Sequence, residues 1–384
     1  MRKLLFILLI FLVGSQLRAQ ETHKFTATGF LEYLNTTWAP KNQAKWTNLS
    51  NVYNRIDLHW YPVKSLEFSA GIRNNFNFGP MMAGYYPYYA NALLKDYGWL
   101  NMTFNLAKDS SYLLYTNIDR LNMKWTLQKF ELTMGRQRIN WGINMVWNPN
   151  DIFNTYNYFD FDYVERPGSD AVLLQYYTGD FSSLQLAAKL NRNNQLTAAL
   201  MYKFNVDNYD LQFLGGVMEK DVVVGMGWAG QIKGIGFTGE ASYFRNLNRF
   251  ADTTGQLVAS VSANYTFSNQ LFVNGSFIYN SAGTTGPAGQ GAFFLLGNVS
   301  PKTLTLSRFD LFGELSYPIT PLIKADVSGI YNPNDNSLFA GPSLDLSLTE
   351  NLDLFVMGQL FFGKPQTEFG DFGQMYYLRL KWSF

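Results

Sequence analysis

The chain ends Tyr376-Tyr377-Leu378-Arg379-Leu380-Lys381-Trp382-Ser383-Phe384, and this stretch decides how the rest is read. Tyr376, Leu378, Leu380, Trp382 and Phe384 occupy every second position, with Tyr377, Arg379, Lys381 and Ser383 between them. A side-chain period of two means a β-strand with one apolar and one wet face. One such strand also fits the edge of a soluble sandwich, because soluble sheets alternate too. What separates the two readings is whether the whole chain repeats the pattern.

It does. Alternating segments closed by turn residues recur at 25–37, 51–61, 65–78, 111–127, 130–140, 171–178, 182–191, 195–205, 209–218, 222–232, 235–245, 256–267, 271–280, 303–317, 322–331, 338–348, 352–362 and 372–384. The expectation is eighteen strands, with sixteen as the alternative count. The odd-numbered connections include 38–50, 79–110, 141–169, 246–255, 281–302 and 363–371, all long. The even-numbered ones centre on Pro62, Gln128, Gly179, Asp207, Gly234, Ser268, Thr320 and Glu350 and are short. A soluble sandwich has no reason to sort its loops by parity, whereas a membrane barrel has short turns at one end and long loops at the other.

The faces sort as well. Leu184, Leu186, Ala188 and Leu190 oppose Ser183, Gln185, Ala187 and Lys189, and Ile323, Ala325 and Val327 oppose Lys324, Asp326 and Ser328. A lysine on the lipid face would cost about 2–4 kcal/mol at mid-bilayer. Lys189, Lys203, Lys324 and Lys381 are therefore expected to face inward, lining a polar, water-filled interior. The predicted fold is an all-β, transmembrane, antiparallel up-and-down barrel over residues 20–384.

At the amino end Arg2 and Lys3 precede an apolar run, Leu4 to Val13, and a small polar segment ending at Ala19. That run is far short of the ~20 residues of a spanning helix. It reads as a cleaved secretory signal peptide, residues 1–19. Its removal leaves 27 basic against 29 acidic residues, a net charge of −2. This balance gives no sign of nucleic-acid binding. An exported chain without cysteine draws its stability from something other than disulfides. Aromatic residues at 17% and charged residues at 15% depart from soluble proteins, where about 25% are charged.

A terminal strand with alternating aromatics and a final Phe resembles the assembly signal of Gram-negative outer-membrane β-barrels. The resemblance implies that Tyr376, Leu378, Leu380, Trp382 and Phe384 are read by the barrel-assembly machinery. Gly-Arg-Gln-Arg-Ile-Asn-Trp-Gly (135–142) and Asn148-Pro149-Asn150-Asp151 look like motifs of a loosely defined group of uncharacterised porin-like barrels. That match covers about thirty-five residues within 135–170. Porins imply a barrel bathed in outer-membrane lipid, passive uptake of small hydrophilic solutes, and often a homotrimer.

The stretch 135–170 is also where a site is expected. Phe130, Leu132 and Met134 share a parity with Arg136 and Arg138, and one strand face cannot be lipid-facing and then doubly cationic without a break. Either Gly135 is a bulge that flips the phase, or the arginines lie beyond the apolar band and snorkel; the bulge is the favoured expectation. In porins the corresponding loop folds inward. Asp151, Asp160, Asp162 and Glu165 would then face Arg55, Arg136 and Arg138 across a pore constriction, a transverse field that filters polar solutes. The competing reading is a surface loop built of ordinary turn formers.

Other constellations carry less. Asp160 and Asp162 alternate as Ca²⁺ ligands do but lack the remaining ligands of a known loop, so no metal is expected. The Tyr85–Trp99 aromatics suit sugar stacking, yet such loops also occur without ligands. The glycines from 283 to 291 lead to no Lys-Ser/Thr or helix start, so no phosphate cradle and no cofactor is expected. A Ser-His hydrolase needs a histidine base. The only histidines are His23, ahead of the first strand, and His59, on the polar face near a short turn. No catalytic residue is expected, and an outer-membrane lipid hydrolase remains a low alternative. A gated receptor's plug domain has no room before the first strand. A non-conducting barrel in secretion or surface assembly stays open beside the channel.

Overall fold

The computed structural model describes residues 24–41, 45–155, 157–162, 168–289 and 299–384. Expectations for the signal segment, for Glu165 and for the end of the 283–291 glycine run lie outside these residues. The strands are β1 (Phe25–Ala39), β2 (Thr47–Val63), β3 (Leu66–Phe78), β4 (Thr103–Asp109), β5 (Tyr112–Leu127), β6 (Phe130–Gln137), β7 (Ser169–Gly179), β8 (Ser182–Leu190), β9 (Leu196–Val206) and β10 (Tyr209–Met218). They continue as β11 (Asp221–Ile232), β12 (Ile235–Asn246), β13 (Gln256–Thr266), β14 (Phe272–Asn280), β15 (Phe309–Thr320), β16 (Ile323–Asn332), β17 (Ser337–Thr349), β18 (Leu352–Phe362) and β19 (Gln374–Ser383).

Apart from β4, each strand pairs antiparallel with its neighbours along the chain, β3 pairing directly with β5, and β1 pairs with both β2 and β19, so the sheet closes on itself. The seam runs to the last residue: Gly29 N to Phe384 O is 3.0 Å and Phe384 N to Gly29 O is 2.9 Å. The wall has eighteen strands. The nineteenth, β4, is an insert. It pairs with Tyr112–Asn117 of β5, on the edge that β6 holds lower down at Leu121–Leu127. With the Gly98–Asn191 bridge it fills the wall above the short pair β6 and β7. The stretch 79–110, expected as one long connection, thus contains a strand.

Period-two alternation sets the two faces. On β19 Tyr376, Leu378, Leu380, Trp382 and Phe384 point out and are exposed, while Tyr377 is buried inside. On β16 Val327 is exposed and Ser328 and Ile330 are buried. The short turns follow hairpin chemistry. Asp207 and Asn208 carry φ of 50° and 65°, and Lys233 and Gly234 carry 51° and 86°. Positive φ at both central residues gives the type I′ turn whose twist matches the strands. Six odd-numbered connections are long, as expected, but those at 191–195, 219–220 and 333–336 are as short as turns. The expected strand at 303–317 begins only at Phe309, and that at 130–140 ends at Gln137.

Within 79–111 lie two single-turn helices, α1 (Pro80–Tyr85) and α2 (Tyr88–Leu93). Pro80 sits at the first helical position, where its missing N–H costs nothing. Met81, Met82 and Ala90 pack on Leu49, Leu113 and Tyr115 at the long-loop end of the wall.

Candidate functional site

The chain between β6 and β7, described at 138–155, 157–162 and 168, enters the lumen. Its apolar side chains Ile139, Trp141, Val146, Trp147, Ile152, Phe153 and Phe159 are buried. They rest on inward residues of the wall that break its polar pattern. Phe312, Ile330, Phe339 and Phe361 are consecutive cross-strand partners on β15 to β18, forming one apolar row. Tyr158 meets Phe312 edge-on at 5.3 Å between centroids, and Phe159 meets Phe339 at 5.0 Å. The faces led to the expectation of a wet lumen throughout; instead one arc is apolar, because a folded segment covers it. Val258, Ile278, Ile330 and Phe339, in the parity of serines, asparagines and acids, were the available signal.

Polar anchors fix the segment around that arc. Glu240, 1% exposed on β12, accepts the backbone N–H groups of Ile143, of Asn144 at 2.8 Å and of Asn150 at 3.0 Å. Ser242 donates to Asn150 Oδ1 at 2.7 Å, and Gln212 donates to the Trp141 carbonyl at 2.7 Å. Trp141 Nε1 donates to Gln185 Oε1 at 2.7 Å. Lys189 donates to the Phe153 carbonyl, with Asp151 in electrostatic range. Gln359 holds the Phe159 carbonyl at 2.9 Å. Backbone groups away from any sheet need such partners wherever water is excluded.

The predicted site residues other than Glu165 are brought near the lumen, but not in the predicted pairs. Arg55 is 2% exposed and spends its guanidinium on neighbours in the wall, Asp57 at 2.7 Å and Asp119 at 2.5 Å. Arg136 is held by Asp170 at 2.7 Å, Asp96 at 2.9 Å and the Leu100 carbonyl at 2.6 Å. It pins the 95–102 segment onto the ends of β6 and β7. Arg138 is half-buried where the chain turns inward. Asp151 is fully buried, and Asp160 is exposed. Asp162 accepts from Tyr53 at 2.8 Å and lies 3.8 Å from Arg379. The arginine that faces the inward segment is thus Arg379, not Arg55 or Arg136. The single Tyr53 proton is shared with Glu32, whose Oε1 lies 2.5 Å from the hydroxyl, and Arg73 lies 4.4 Å over the Tyr53 ring.

The phase break falls at Gly135 as expected, but not as a bulge. Gly135 pairs in register with Asn122 and Ala171, and the break is conformational, φ 114°. A Cβ there would collide with the Leu121 carbonyl oxygen.

Around the segment the lumen keeps a cavity of about 1930 Å³. Arg73, Asn75, Tyr88, Lys189, Asp160 and Asp162 are among its lining residues. The His59 ring lies lower. Its Nδ1 is 2.9 Å from Glu67 Oε1 and 3.0 Å from Ser69 Oγ. A hydrolytic triad uses opposite ring nitrogens for acid and serine. Here both converge on one nitrogen, so the trio has the composition of a triad without its connectivity. Among the described residues no group of three or more His, Cys, Asp or Glu is arranged to hold a metal.

Solved structures share this architecture. Pseudomonas aeruginosa OccK11 (OpdR) matches over 94% of this chain and 95% of its own, with a TM-score of 0.57 at 11% identity. Acinetobacter baumannii OccAB4 matches over 94% and 98%, with a TM-score of 0.59 at 10% identity. Pseudomonas aeruginosa OprD matches over 93% and 95%, with a TM-score of 0.58 at 9% identity. The likeness is one of fold. No family model matches the sequence, and no curated protein does.

Proposed function

We propose that this chain is an outer-membrane channel for passive diffusion of small hydrophilic solutes. One observation carries the reading: a closed barrel, apolar outside, holds a folded segment inside that narrows its lumen without filling it, leaving about 1930 Å³ whose wall mixes apolar and aromatic side chains with charged and amide groups such as Arg73, Asn75, Lys189, Asp160 and Asp162. A partly polar space inside an apolar belt is what a route for polar molecules across lipid requires. The fold neighbours, OprD among them, support the same reading. Selection would fall to the cavity wall, with Asp160 and Asp162 on the segment and Arg73 and Lys189 on the barrel, while Arg379 lies behind Asp162 at 3.8 Å. Arg55 and Arg136 act there as struts, since their partners already neutralise them.

On this reading residues 1–19 are removed on export, and the β19 pattern ending in Phe384 is what the assembly machinery recognises. The protein is surrounded by outer-membrane lipid, and a homotrimer is the assembly to test for. Liposome swelling with sugars of increasing size tests the channel: uptake should fall steeply with solute size, and protein-free rates for the smallest sugar would reject it. A second reading, a non-conducting barrel in secretion or surface assembly, is favoured by the tight packing of Trp141, Trp147 and Phe159 on the wall. Stepwise single-channel current separates the two. The hydrolase alternative has only the misconnected His59 trio in its favour.

A further inference from the structure

Asp310 opens β15, and Glu368 lies in the last long connection, 363–373. They are 2% and 0% exposed. The Thr305 hydroxyl sits between them, donating to Asp310 Oδ2 and lying 3.4 Å from Glu368 Oε1. It has one proton for two acceptors. Glu368 also accepts from the Leu306 amide at 3.2 Å and from Asn332 Nδ2 at 2.8 Å. Asp310 Oδ1, buried, has no hydrogen-bond partner.

The charges around the pair do not relieve it. Asp335, in the turn between β16 and β17, is a third acid, accepting the Glu368 amide at 2.7 Å. Arg308 spends Nε on the Gly283 carbonyl at 3.3 Å, Lys302 pairs with Asp221 at 2.7 Å, and Lys41 bonds the Gly363 and Gly370 carbonyls at 2.7 and 2.5 Å. Lys364 is exposed, and Asp371 accepts the Gln366 amide at 2.6 Å. Among the described residues no cation forms an ion pair with Asp310, Asp335 or Glu368. Two ionised carboxylates at close quarters without a cation repel, and a proton held between them removes the repulsion.

We propose that Asp310 and Glu368 share one proton, and that this proton latches the 363–373 loop onto the barrel mouth and thereby braces the segment in the lumen. The brace is direct. Phe369, beside Glu368, packs on Phe159 of the lumen segment at 6.2 Å and on Phe339 and Phe361 of the wall, each at 6.5 Å. Burial first, then the charges of Asp310 and Asp335, push the Glu368 carboxyl well above its ordinary range, against the Leu306 and Asn332 donors. A group whose docked pKa exceeds its undocked value stabilises docking fully below the undocked value. That stabilisation is lost as pH rises through the docked value, so alkali opens the latch.

The absence of cysteine allows a clean test. Thr367, 3% exposed, becomes the probe as Thr367→Cys, and exposed Gln366→Cys corrects for thiolate fraction. The ratio of their labelling rates in folded protein should rise at least tenfold from pH 6 to pH 9, and stay flat when Glu368→Gln is added. Should Thr367→Cys not fold, amide exchange over 363–373, corrected for intrinsic pH dependence, reads the same opening in the parent chain. A flat ratio or flat corrected exchange overturns the latch, as does a rise that persists with Glu368→Gln. Opening that appears only with a chelator also overturns it, since a bound cation then does the proton's work. These readouts need no conduction, so failure of the channel reading would leave them intact. If the chain conducts, open-channel noise should grow in alkali in the parent and not in Glu368→Gln.

Discussion

Glu240 is one carboxylate serving three backbone amides of the lumen segment. Glu240→Ala strands those buried donors, at about 1–3 kcal/mol for each one left without a partner. The segment should loosen rather than the barrel unfold. Single-channel records should show larger, noisier current with an unchanged heat-modified gel shift, and parental current would contradict the anchoring role. Asp160 and Asp162 reach the cavity itself. Asp160→Asn with Asp162→Asn removes two negative charges from the cavity wall, that of Asp162 lying 3.8 Å from Arg379, so the reversal potential under a salt gradient should move toward anion preference. An unchanged potential takes both residues out of the permeation path. The acids and arginines were visible in the sequence, but their partners were not. Arg136 finds Asp96 and Asp170 at separations of 40 and 34 residues, and alternation carries no information about such pairs. Glu240 could have been singled out: an acid at inward parity between Thr238 and Ser242 needs donors, and only an inserted segment brings enough of them.

At the scale of elements, two features let the wall open inward between β6 and β7. Gly135 supplies the turn in backbone direction, and β4 with the 95–102 segment closes the gap that results. Gly135→Ala places a Cβ against the Leu121 carbonyl at φ 114°, a strain of about 1–3 kcal/mol before any relaxation. A lower temperature of heat-modified mobility should report it, and an unchanged transition would mean the strand end has room to adapt. Arg136 is the staple across the gap. Burial works to raise the Asp96 carboxyl, but Arg136 and the Met102 and Gly98 amides outweigh it, and the net shift is downward. A depressed folded pKa gives stability that is present above the ordinary carboxylate value and lost as pH falls through the lowered one. Protease cleavage within 95–102 should therefore appear only in strong acid, whereas Arg136→Ala should expose the segment at neutral pH. The glycine and the apolar run before it foretold a break at 135. They did not foretell its form, because a bulge and a positive φ flip the same side chains. The 79–110 stretch hid β4 because Phe104 and Leu106 alternate over too few residues to stand out from a loop.

The molecule as a whole was the most legible scale, because lipid acts on every strand alike. The strand positions and the inward lysines follow from one constraint, that each wall residue meets either hydrocarbon or the lumen. The lumen's own contents follow no such repeat: the Phe312–Phe361 row interrupts the polar face, and its reason lies in Trp147, Tyr158 and Phe159, which cover it. The same constraint sets a sharp asymmetry between adjacent positions. Val327 points out of β16 and is 53% exposed, while Asp326 points in beside Lys324 at 3.1 Å. Val327→Lys puts an ammonium group into hydrocarbon, at about 2–4 kcal/mol if the site lies at the bilayer midplane and less toward either interface. Asp326→Lys makes a larger change of charge but leaves it in the lumen. Urea titration of refolded protein in lipid vesicles should then show a clear loss of stability for Val327→Lys and a much smaller one for Asp326→Lys, whose effect should appear instead in ion selectivity. In detergent, whose shell deforms around a charge, the Val327→Lys penalty should shrink. Equal losses for the two variants in vesicles would mean that the wall does not separate oil from water at that height, and the barrel's orientation in the membrane would have to be redrawn.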